Sequence, residues 1–140
     1  MFTFPDPIRD LLDTPGTFAR LATTLPDGAP QNTVIWFRRD GDTLRMSCGR
    51  NAQKARNIRR DGRVSVVVER PADPYTFVEI RGVATVDEDA AGGLEELRAL
   101  SHRYIGQERG DAWIASMPDA DMVTLIIRPV RVNLFTDQEP

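Results

Sequence analysis

The chain has 140 residues, a formal net charge of −3 and an isoelectric point near 5.2. This length predicts one domain over residues 1–140, and the acidic balance argues against attraction to nucleic acid or anionic lipid by overall charge. The apolar fraction of 41% is enough for a hydrophobic core, so a folded chain is expected. One cysteine excludes an intramolecular disulfide, and neither a signal-peptide pattern nor an apolar run long enough to span a bilayer is found. We therefore expect a cytoplasmic protein.

The first half of the sequence predicts a short helix and three strands. Residues 8–12 have amphipathic spacing and lie between two prolines, which favours a short helix. Residues 17–25 alternate in polarity and residues 31–37 are rich in β-branched and aromatic side chains, so both segments are predicted to be strands. A tight turn then leads into a third strand over residues 43–48. Tight turns between successive strands indicate antiparallel pairing.

A helix and two strands follow in the middle of the chain. Residues 51–60 predict a helix with Asn51 as its N-cap. Residues 64–69 form a nearly continuous apolar run, which is typical of a strand buried on both faces. Residues 75–86 predict a long strand in which Gly82 marks a bulge or a sharp bend.

The last third predicts a helix over residues 94–105, one more helical turn over residues 113–117 and a final strand over residues 122–135. Pro129 interrupts that strand and is expected at a bulge or an edge. About six strands and two main helices indicate a mainly β, α+β fold. We expect a closed, mostly antiparallel barrel, because closure removes exposed strand edges.

The sequence offers few ligands for a metal. His102 is the only histidine and Cys48 is the only thiol, whereas a zinc or heme site usually needs more such ligands. Ser101 directly precedes His102, and adjacent residues of a helix do not face each other, so a serine–histidine pair is not expected. We interpret His102 as a surface or helix-packing residue and Cys48 as a small buried side chain. No metal site and no catalytic side chain are predicted.

Residues 50–63 concentrate positive charge, with five arginines and one lysine against the single acid Asp61. One interpretation is a solvated helix face. The other is an anion site, because the helix begins directly after a strand and a helix N-terminus carries partial positive charge. Lys54 and Asn57 are three residues apart and share one face of this helix. The residues alone leave both interpretations open.

The second predicted strand allows two interpretations as well. Its alternation turns Asn32, Val34 and Trp36 to one face. A strand with large aromatic side chains usually contributes only to the core. The polar residues at its beginning could instead line the mouth of an apolar cofactor slot.

Four segments carry a resemblance to a known family: FARLATTLPDGAPQNTVIWF, GRNAQKARNIRRDGRVSVVVE, DPYTFVEIRGVATV and RYIG. Together they cover most of residues 17–106 and resemble the pyridoxamine-phosphate-oxidase-like, FMN-binding split barrels. They are most similar to the branch predicted to use the deazaflavin coenzyme F-420, and the Lys-x-x-Asn helix between two strands is the most specific element. The resemblance implies a six-stranded, mostly antiparallel split β-barrel with two main flanking helices.

The resemblance also implies a cofactor groove between two protomers, and hence a homodimer. In that groove Lys54 neutralises the cofactor phosphate, supported by Asn57. The implied neighbours of the phosphate and of the ribityl chain are Arg50 and Gln53 at the helix N-terminus and Ser47 and Cys48 at the end of the third strand. The implied contacts of the tricyclic ring, apart from backbone amides at its pyrimidine edge, are Asn32, Thr33, Val34 and Trp36.

The resemblance implies an oxidoreductase that transfers a hydride between coenzyme F-420 and a small planar organic substrate. Hydride chemistry belongs to the cofactor, which is consistent with the lack of an acid–base pair in the sequence. The arginines around Lys54 favour F-420, because this coenzyme adds a lactyl unit and a glutamate tail to its phosphate. FMN is the alternative cofactor, and a non-catalytic flavin carrier or sensor is the alternative function. Pyridoxamine phosphate oxidases have arginine-bearing substrate motifs near the C-terminus. Because no arginine follows Arg131 here, oxidation of vitamin B6 is not expected.

Overall fold

One antiparallel sheet and four helices make up the computed structural model, which describes residues 2–136. The ends of the predicted domain, Met1 and residues 137–140, lie outside the described residues. None of the helices in the described part of the chain combines the length and the apolarity that crossing a bilayer requires. The elements, in chain order, are α1 (Asp6–Asp13), β1 (Ala19–Thr24), β2 (Pro30–Ile35), β3 (Arg38–Asp40), β4 (Thr43–Gly49), α2 (Gln53–Arg60), β5 (Arg63–Arg70), β6 (Asp73–Asp87), α3 (Ala90–Ile105), α4 (Gln107–Ala115) and β7 (Met122–Phe135).

The seven strands of the sheet lie in the order β2-β1-β5-β6-β7-β4-β3. The expectation of a closed barrel is wrong, because β2 and β3 are the two edges of this sheet and do not pair with each other within residues 2–136. The predicted second strand ends at Ile35, the chain leaves the sheet at Trp36 and Phe37, and it resumes as β3 on the opposite edge. This interruption adds a seventh strand and leaves the barrel split. The prediction of a mainly β split barrel is confirmed.

The inward side chains of the curled sheet form one hydrophobic core. In β5, Val64, Val66 and Val68 are buried, whereas Ser65 and Val67 on the other face are only half-buried. The prediction that this strand is buried on both faces is therefore wrong, because no second layer covers it fully. Helices α1 and α2 each turn buried apolar side chains into the same core.

The bulge between β6 and β7 lies where the sequence predicts it. The register shifts between Arg81 and Gly82, and Gly82 pairs with Pro129. A Cβ atom on Gly82 would lie 2.5 Å from the carbonyl oxygen of Arg128. Only glycine fits such a close backbone approach, and the proline at the bulge needs no ladder hydrogen bond.

Helix α2 differs from its prediction at the N-cap, and helix α4 differs in its length. Helix α2 begins at Gln53, and its N-cap is Ala52, which makes no side-chain capping bond. Asn51 is not the cap, because a turn closed by the Ala52 N–H and the Gly49 carbonyl (3.0 Å) places it one residue too early. Helix α4 spans nine residues instead of the single turn predicted over residues 113–117.

The crossing from β2 to β3 is held by the last turn of α3. Phe37 is fully buried, and its backbone N–H donates to the Tyr104 hydroxyl (3.2 Å), which donates to the Thr17 carbonyl (2.7 Å). The Phe37 carbonyl accepts from Arg103, whose guanidinium lies 4.7 Å from the centre of the Phe37 ring. Side chains of α3 therefore satisfy both backbone groups that a neighbouring strand would otherwise satisfy.

A buried carboxylate fixes α3 to the hairpin formed by β3 and β4. Glu96 accepts from the Nε atoms of Arg38 and Arg45, both at 2.6 Å. Burial acts to raise the pKa of Glu96, but the hydrogen bonds from Arg38 and Arg45 and their charges outweigh it, so this pKa lies below its ordinary value. The fold therefore favours the ionised carboxylate.

Replacing Glu96 with Gln removes the charge that both arginines bind. We expect the free energy of unfolding at pH 7 to fall by about 1.5–3 kcal/mol, the scale of hydrogen bonds to charged groups. Because the pKa of Glu96 is lowered in the fold, its stabilisation is present above the unfolded pKa of about 4.3 and is lost as the pH falls below that value. In urea unfolding, the difference between the wild type and Glu96→Gln should therefore shrink below about pH 4.

The matched control is Glu95→Gln, because the Glu95 side chain is 72% exposed and lies on the same helix. We expect this substitution to change the stability very little at any pH. A difference between wild type and Glu96→Gln that stays constant from pH 7 to pH 3 would contradict the ionised, arginine-bound state of Glu96.

Candidate cofactor site

The split in the barrel leaves two strand edges open. Strand β3 pairs with β4 only over residues 43–45, and residues 46–49 of β4 pair only with β7 among the described residues. Strand β2 pairs only with β1 in the same part of the chain. The outer edge of β2 therefore presents unpaired backbone N–H and C=O groups. Such groups can bond the polar rim of a planar ligand.

Asn57 ties helix α2 to the strands at this edge. It is fully buried, and its Oδ1 accepts from the Nε2 of Gln53 (2.8 Å). Its Nδ2 donates to the Oγ1 of Thr23 (3.0 Å) on β1 and to the Oε1 of Gln31 (3.1 Å) on β2. The amides of Asn57 and Gln53 are thus engaged with other protein groups. In this structure Asn57 positions the helix that carries Lys54.

Lys54 is the free cation of the basic segment. It lies one turn before Asn57 on the same face of α2 and is half-buried. Its ammonium group has no hydrogen-bond or ion-pair partner among residues 2–136. Every arginine of residues 50–63 has at least one side-chain hydrogen bond. An unpartnered, half-buried ammonium is a suitable receptor for an anion, and Asn57, one turn along the helix, binds the edge strand β2.

Arg50 and Arg59 belong to an ion-pair network. The Nε of Arg50 lies 2.9 Å from an Asp121 carboxylate oxygen, and its Nη1 lies 3.1 Å from Glu88. The Nε of Arg59 lies 2.7 Å from the same Glu88 carboxylate. Hydrogen bonds donated to Asp121 and Glu88 raise the pKa values of Arg50 and Arg59, respectively, despite opposing desolvation. The structure therefore places Arg50 near the helix N-terminus, as predicted, with its donors already bound to carboxylates.

Carboxylates neutralise fewer of the remaining arginines of the segment. Their side-chain hydrogen-bond partners are Gln53 for Arg56, the Thr24 carbonyl for Arg60 and Asp61 for Arg63. Only the last of these partners is an acid. Within the described residues, the charges left without a carboxylate are therefore those of Lys54, Arg56 and Arg60, all on α2.

Ser47 and Cys48 face opposite sides of β4. Cys48 is buried in the core, and burial raises the pKa of its thiol, while the positive charges of Lys54 and Arg59 oppose that rise. This interaction places Cys48 on the side of α2. The Ser47 hydroxyl instead donates to the Gly93 carbonyl (3.4 Å) of α3. The structure thus brings Cys48, but not Ser47, to the side of Lys54.

The four predicted ring contacts are also divided between two faces. Asn32 and Val34 point outward and are exposed, whereas Thr33 points inward. A flat ring cannot lie against both faces, so these residues can share one ligand only along the free edge of β2. The Thr33 hydroxyl oxygen is a buried polar atom without a hydrogen-bond partner in the described part of the chain. An orphaned hydroxyl of this kind calls for an additional partner.

Trp36 ends the row of β2 residues. Its ring is stacked on Tyr104, with 5.0 Å between centroids and an interplanar angle of 7°. Trp113 meets it edge to face at 5.5 Å. One face of Trp36 is therefore already covered by protein, and the residue forms an aromatic wall at the end of the open edge.

These residues fit a cofactor that has a phosphate and a planar ring with polar edges. The free ammonium of Lys54 matches the phosphate, the orphaned Thr33 hydroxyl and the open backbone edge of β2 match the ring, and Trp36 closes its far end. Residues 31 and 36 are about 17 Å apart along an extended strand, which is room for a ring and a polyol chain.

A family model described as pyridoxamine 5'-phosphate oxidase matches residues 4–135. The chain belongs to the pyridoxamine 5'-phosphate oxidase family. Among solved structures, an F-420 reductase is 31% identical over 93% of this chain and 98% of that chain, with a TM-score of 0.74. A conserved hypothetical protein from Mycobacterium tuberculosis is 25% identical over 99% of this chain and 88% of that chain, with a TM-score of 0.78.

A heme storage protein from Vibrio cholerae shares the fold at 16% identity, over 99% of this chain and 100% of that chain, with a TM-score of 0.70. No curated protein matches the chain significantly by sequence. The predicted membership of the pyridoxamine 5'-phosphate oxidase family is confirmed. The predicted site residues remain predictions, because these comparisons concern the family and the fold.

Sequence reasoning missed the partners that shape the site. Thr23 and Gln31 are needed to hold Asn57, and no spacing rule connects residues on three elements. Tyr104 belongs to the RYIG segment that contributes to the resemblance. The sequence therefore pointed to this residue but did not reveal its contacts with Trp36 and Phe37. Arg109 and Trp113 share one face of α4. The sequence predicted a helical turn only over residues 113–117, so it did not place Arg109 on the same helix as Trp113.

Replacing Asn57 and replacing Lys54 should have clearly different effects on the free energy of unfolding. We expect Asn57→Ala to lower the free energy of unfolding by about 2–3 kcal/mol, because it removes three side-chain hydrogen bonds and leaves the buried Thr23 hydroxyl without its donor. Lys54→Ala should change it by less than about 0.5 kcal/mol, because Lys54 makes no such bond. Urea unfolding of both variants measures this contrast, and equal losses would mean that Lys54 is a structural residue.

Proposed function

We propose that this chain is an oxidoreductase that binds coenzyme F-420 and transfers a hydride between its deazaflavin and a small planar organic substrate. The observation that carries the proposal is the free ammonium of Lys54, one helical turn from Asn57, which binds Gln31 on the edge strand β2. The 31% identity to an F-420 reductase, over nearly the whole of both chains, supports the choice of coenzyme. The confirmed family supports a cofactor of flavin type.

In this proposal the protein binds and orients, and the bound deazaflavin supplies the hydride chemistry. Lys54 binds the phosphate with a charge-assisted hydrogen bond, and the neighbouring N-terminus of α2 adds its partial positive charge. The free backbone groups of β2 and the Thr33 hydroxyl fix the polar edge of the ring. Asn57 keeps α2 at the distance from β2 that these contacts need. No side chain is assigned a proton transfer.

The second candidate is an FMN-binding protein, either an oxidoreductase or a non-catalytic carrier. One observation favours it: Glu88, Asp121 and Asp61 bind three of the arginines that the sequence offered to a polyanionic tail. Lys54 alone is sufficient for the single phosphate of FMN. For F-420, Arg56 and Arg60 are the cations of α2 that remain for the tail. Turnover of chemically reduced coenzyme with quinones and enones distinguishes an enzyme from a carrier.

We expect Lys54→Ala to weaken cofactor binding by about 1.5–3 kcal/mol, the scale of a charge-assisted hydrogen bond. Lys54→Arg is the matched control, because it keeps the charge and should retain most of the affinity. Isothermal titration of the wild type and both variants with F-420 and with FMN gives the result. Unchanged affinity in Lys54→Ala would mean that the phosphate binds elsewhere.

The same titrations at low and high salt separate the two cofactors. F-420 should bind more tightly than FMN and lose more affinity with salt, because exposed charges are screened over about 8 Å at physiological ionic strength. Arg56→Gln should reduce this salt dependence for F-420 and leave FMN binding unchanged. Equal or tighter binding of FMN, without a salt difference, would favour the second candidate.

We also propose that two protomers associate through the outer face of the sheet. This face exposes Val34 on β2, Val83 on β6 and Val130 on β7, with 46–68% of each residue accessible. A groove of about 720 Å³ runs over it between β1 and β7. Val83 and Val130 line this groove, and exposed apolar residues on a sheet face commonly mark an interface. The family resemblance supports the same arrangement, with the cofactor near the second protomer.

Sedimentation at micromolar concentration should therefore report a dimer, and Val83→Glu should convert it to a monomer by placing a charge in the interface. Ala91→Glu, at an exposed position in the first turn of α3 and away from the outer face of the sheet, is the control for an added charge. A wild-type monomer that binds cofactor fully would rule out a shared groove.

A further inference from the structure

A second groove lies at the far end of β2, between the end of that strand and α4. Its volume is about 530 Å³, which is within the range of small-molecule sites. It is open to solvent. The residues that line it are Trp36, Ile105, Arg109, Ala112 and Trp113.

The walls of this groove are flat and aromatic. Trp36 is held rigidly, because Tyr104 stacks on one side of its ring and Trp113 meets it edge to face. Trp113 is 38% exposed, so part of its indole ring is available to a ligand. Ala112 leaves space beside it. Rigid aromatic side chains of this kind bind planar rings without losing much conformational freedom.

The rim of the groove carries one positive charge. Arg109 lies one turn before Trp113 on the same face of α4 and is exposed. Within residues 2–136 its guanidinium has no hydrogen-bond or ion-pair partner. The neighbouring arginines differ in this respect, because Arg98 binds Asp111 (3.1 Å) and Arg103 binds backbone carbonyls. A guanidinium without a partner matches a carboxylate in charge and in its two parallel donors.

We propose that this groove binds planar aromatic carboxylates, with the ring against the two tryptophans and the carboxylate on Arg109. This inference rests on the proposed function, because it makes the groove a substrate site. Trp36 directly follows β2, so a ring in the groove lies next to a ligand along the free edge of that strand. The carboxylate then fixes which edge of the substrate ring faces the cofactor.

A small planar anion fits this groove better than a protein partner does. Five residues are far fewer than the 20–30 residues a side of a standard protein interface. The apolar outer face of the sheet offers a larger surface for a second copy. The phosphate anchor Lys54 lies near the other end of β2, through Asn57 and Gln31, so the groove is too far away to hold the cofactor phosphate itself.

The test is isothermal titration of the full chain, without cofactor, with 2-naphthoate and with the uncharged 2-naphthamide. We expect 2-naphthoate to bind, and Arg109→Gln to weaken it by about tenfold or more, the scale of a charge-assisted bidentate contact. The amide should bind weakly and equally to both proteins. Arg63→Gln removes the same charge from β5 and should leave 2-naphthoate binding unchanged. Trp113→Leu should weaken both ligands, with circular dichroism confirming the fold.

Equal binding of 2-naphthoate to the wild type and Arg109→Gln, or no binding at all, overturns the proposal. Competition between 2-naphthoate and F-420 overturns it as well, because the groove would then belong to the cofactor. Loss of self-association in Trp113→Leu would show that a second copy covers the groove and would also overturn it. If F-420 binds in a way that depends on Lys54 but 2-naphthoate does not bind, this inference is contradicted and the proposed function is still supported. If 2-naphthoate binds but F-420 does not bind, both the substrate assignment and the proposed function are contradicted.

Discussion

Phe37 is the residue on which the shape of the barrel depends. Its backbone N–H and carbonyl are bound by Tyr104 and Arg103 of α3, at a point where a continuous strand would bind its neighbour. Because these groups are satisfied from outside the sheet, the chain can stop pairing after Ile35 and resume on the opposite edge at Arg38. The buried Glu96 binds the same helix to β3 and β4, which fixes the position of the crossing relative to the sheet. The split in the barrel is therefore a consequence of how α3 is docked.

That split decides what the protein can bind. It leaves the edge of β2 free of a strand partner, and Asn57 then brings α2 against the same strand through Gln31. The cations of the basic segment differ in their partners: carboxylates bind Arg50, just before α2, and Arg59 on α2, whereas Lys54 has no partner among residues 2–136. Three cations of α2 (Lys54, Arg56 and Arg60) are thus left without a carboxylate, and of these only Lys54 has no side-chain hydrogen bond among residues 2–136. This arrangement suits the anionic, planar cofactor proposed above.

Local signals in the sequence were sufficient for most of the elements. The existence of strand β5, the bulge at Gly82 with Pro129, and the helix that carries Lys54 could all be predicted, because each depends on neighbours in the chain. The crossing at Phe37 could not, since its hydrogen bonds come from residues 66 and 67 positions later. For the same reason the basic segment was ambiguous: only the fold shows that Glu88 and Asp121 neutralise part of it. The opposite orientations of Ser47 and Cys48 follow from strand alternation, yet the resemblance grouped them together.

The most direct test of the central claim is a crystal structure of the chain with coenzyme F-420 bound. We predict that the phosphate lies within hydrogen-bond distance of the Lys54 Nζ atom, that the ring follows the free edge of β2, and that the Thr33 hydroxyl gains a partner. A coenzyme whose phosphate contacts neither Lys54 nor the N-terminus of α2, with the β2 edge still free, would contradict the account.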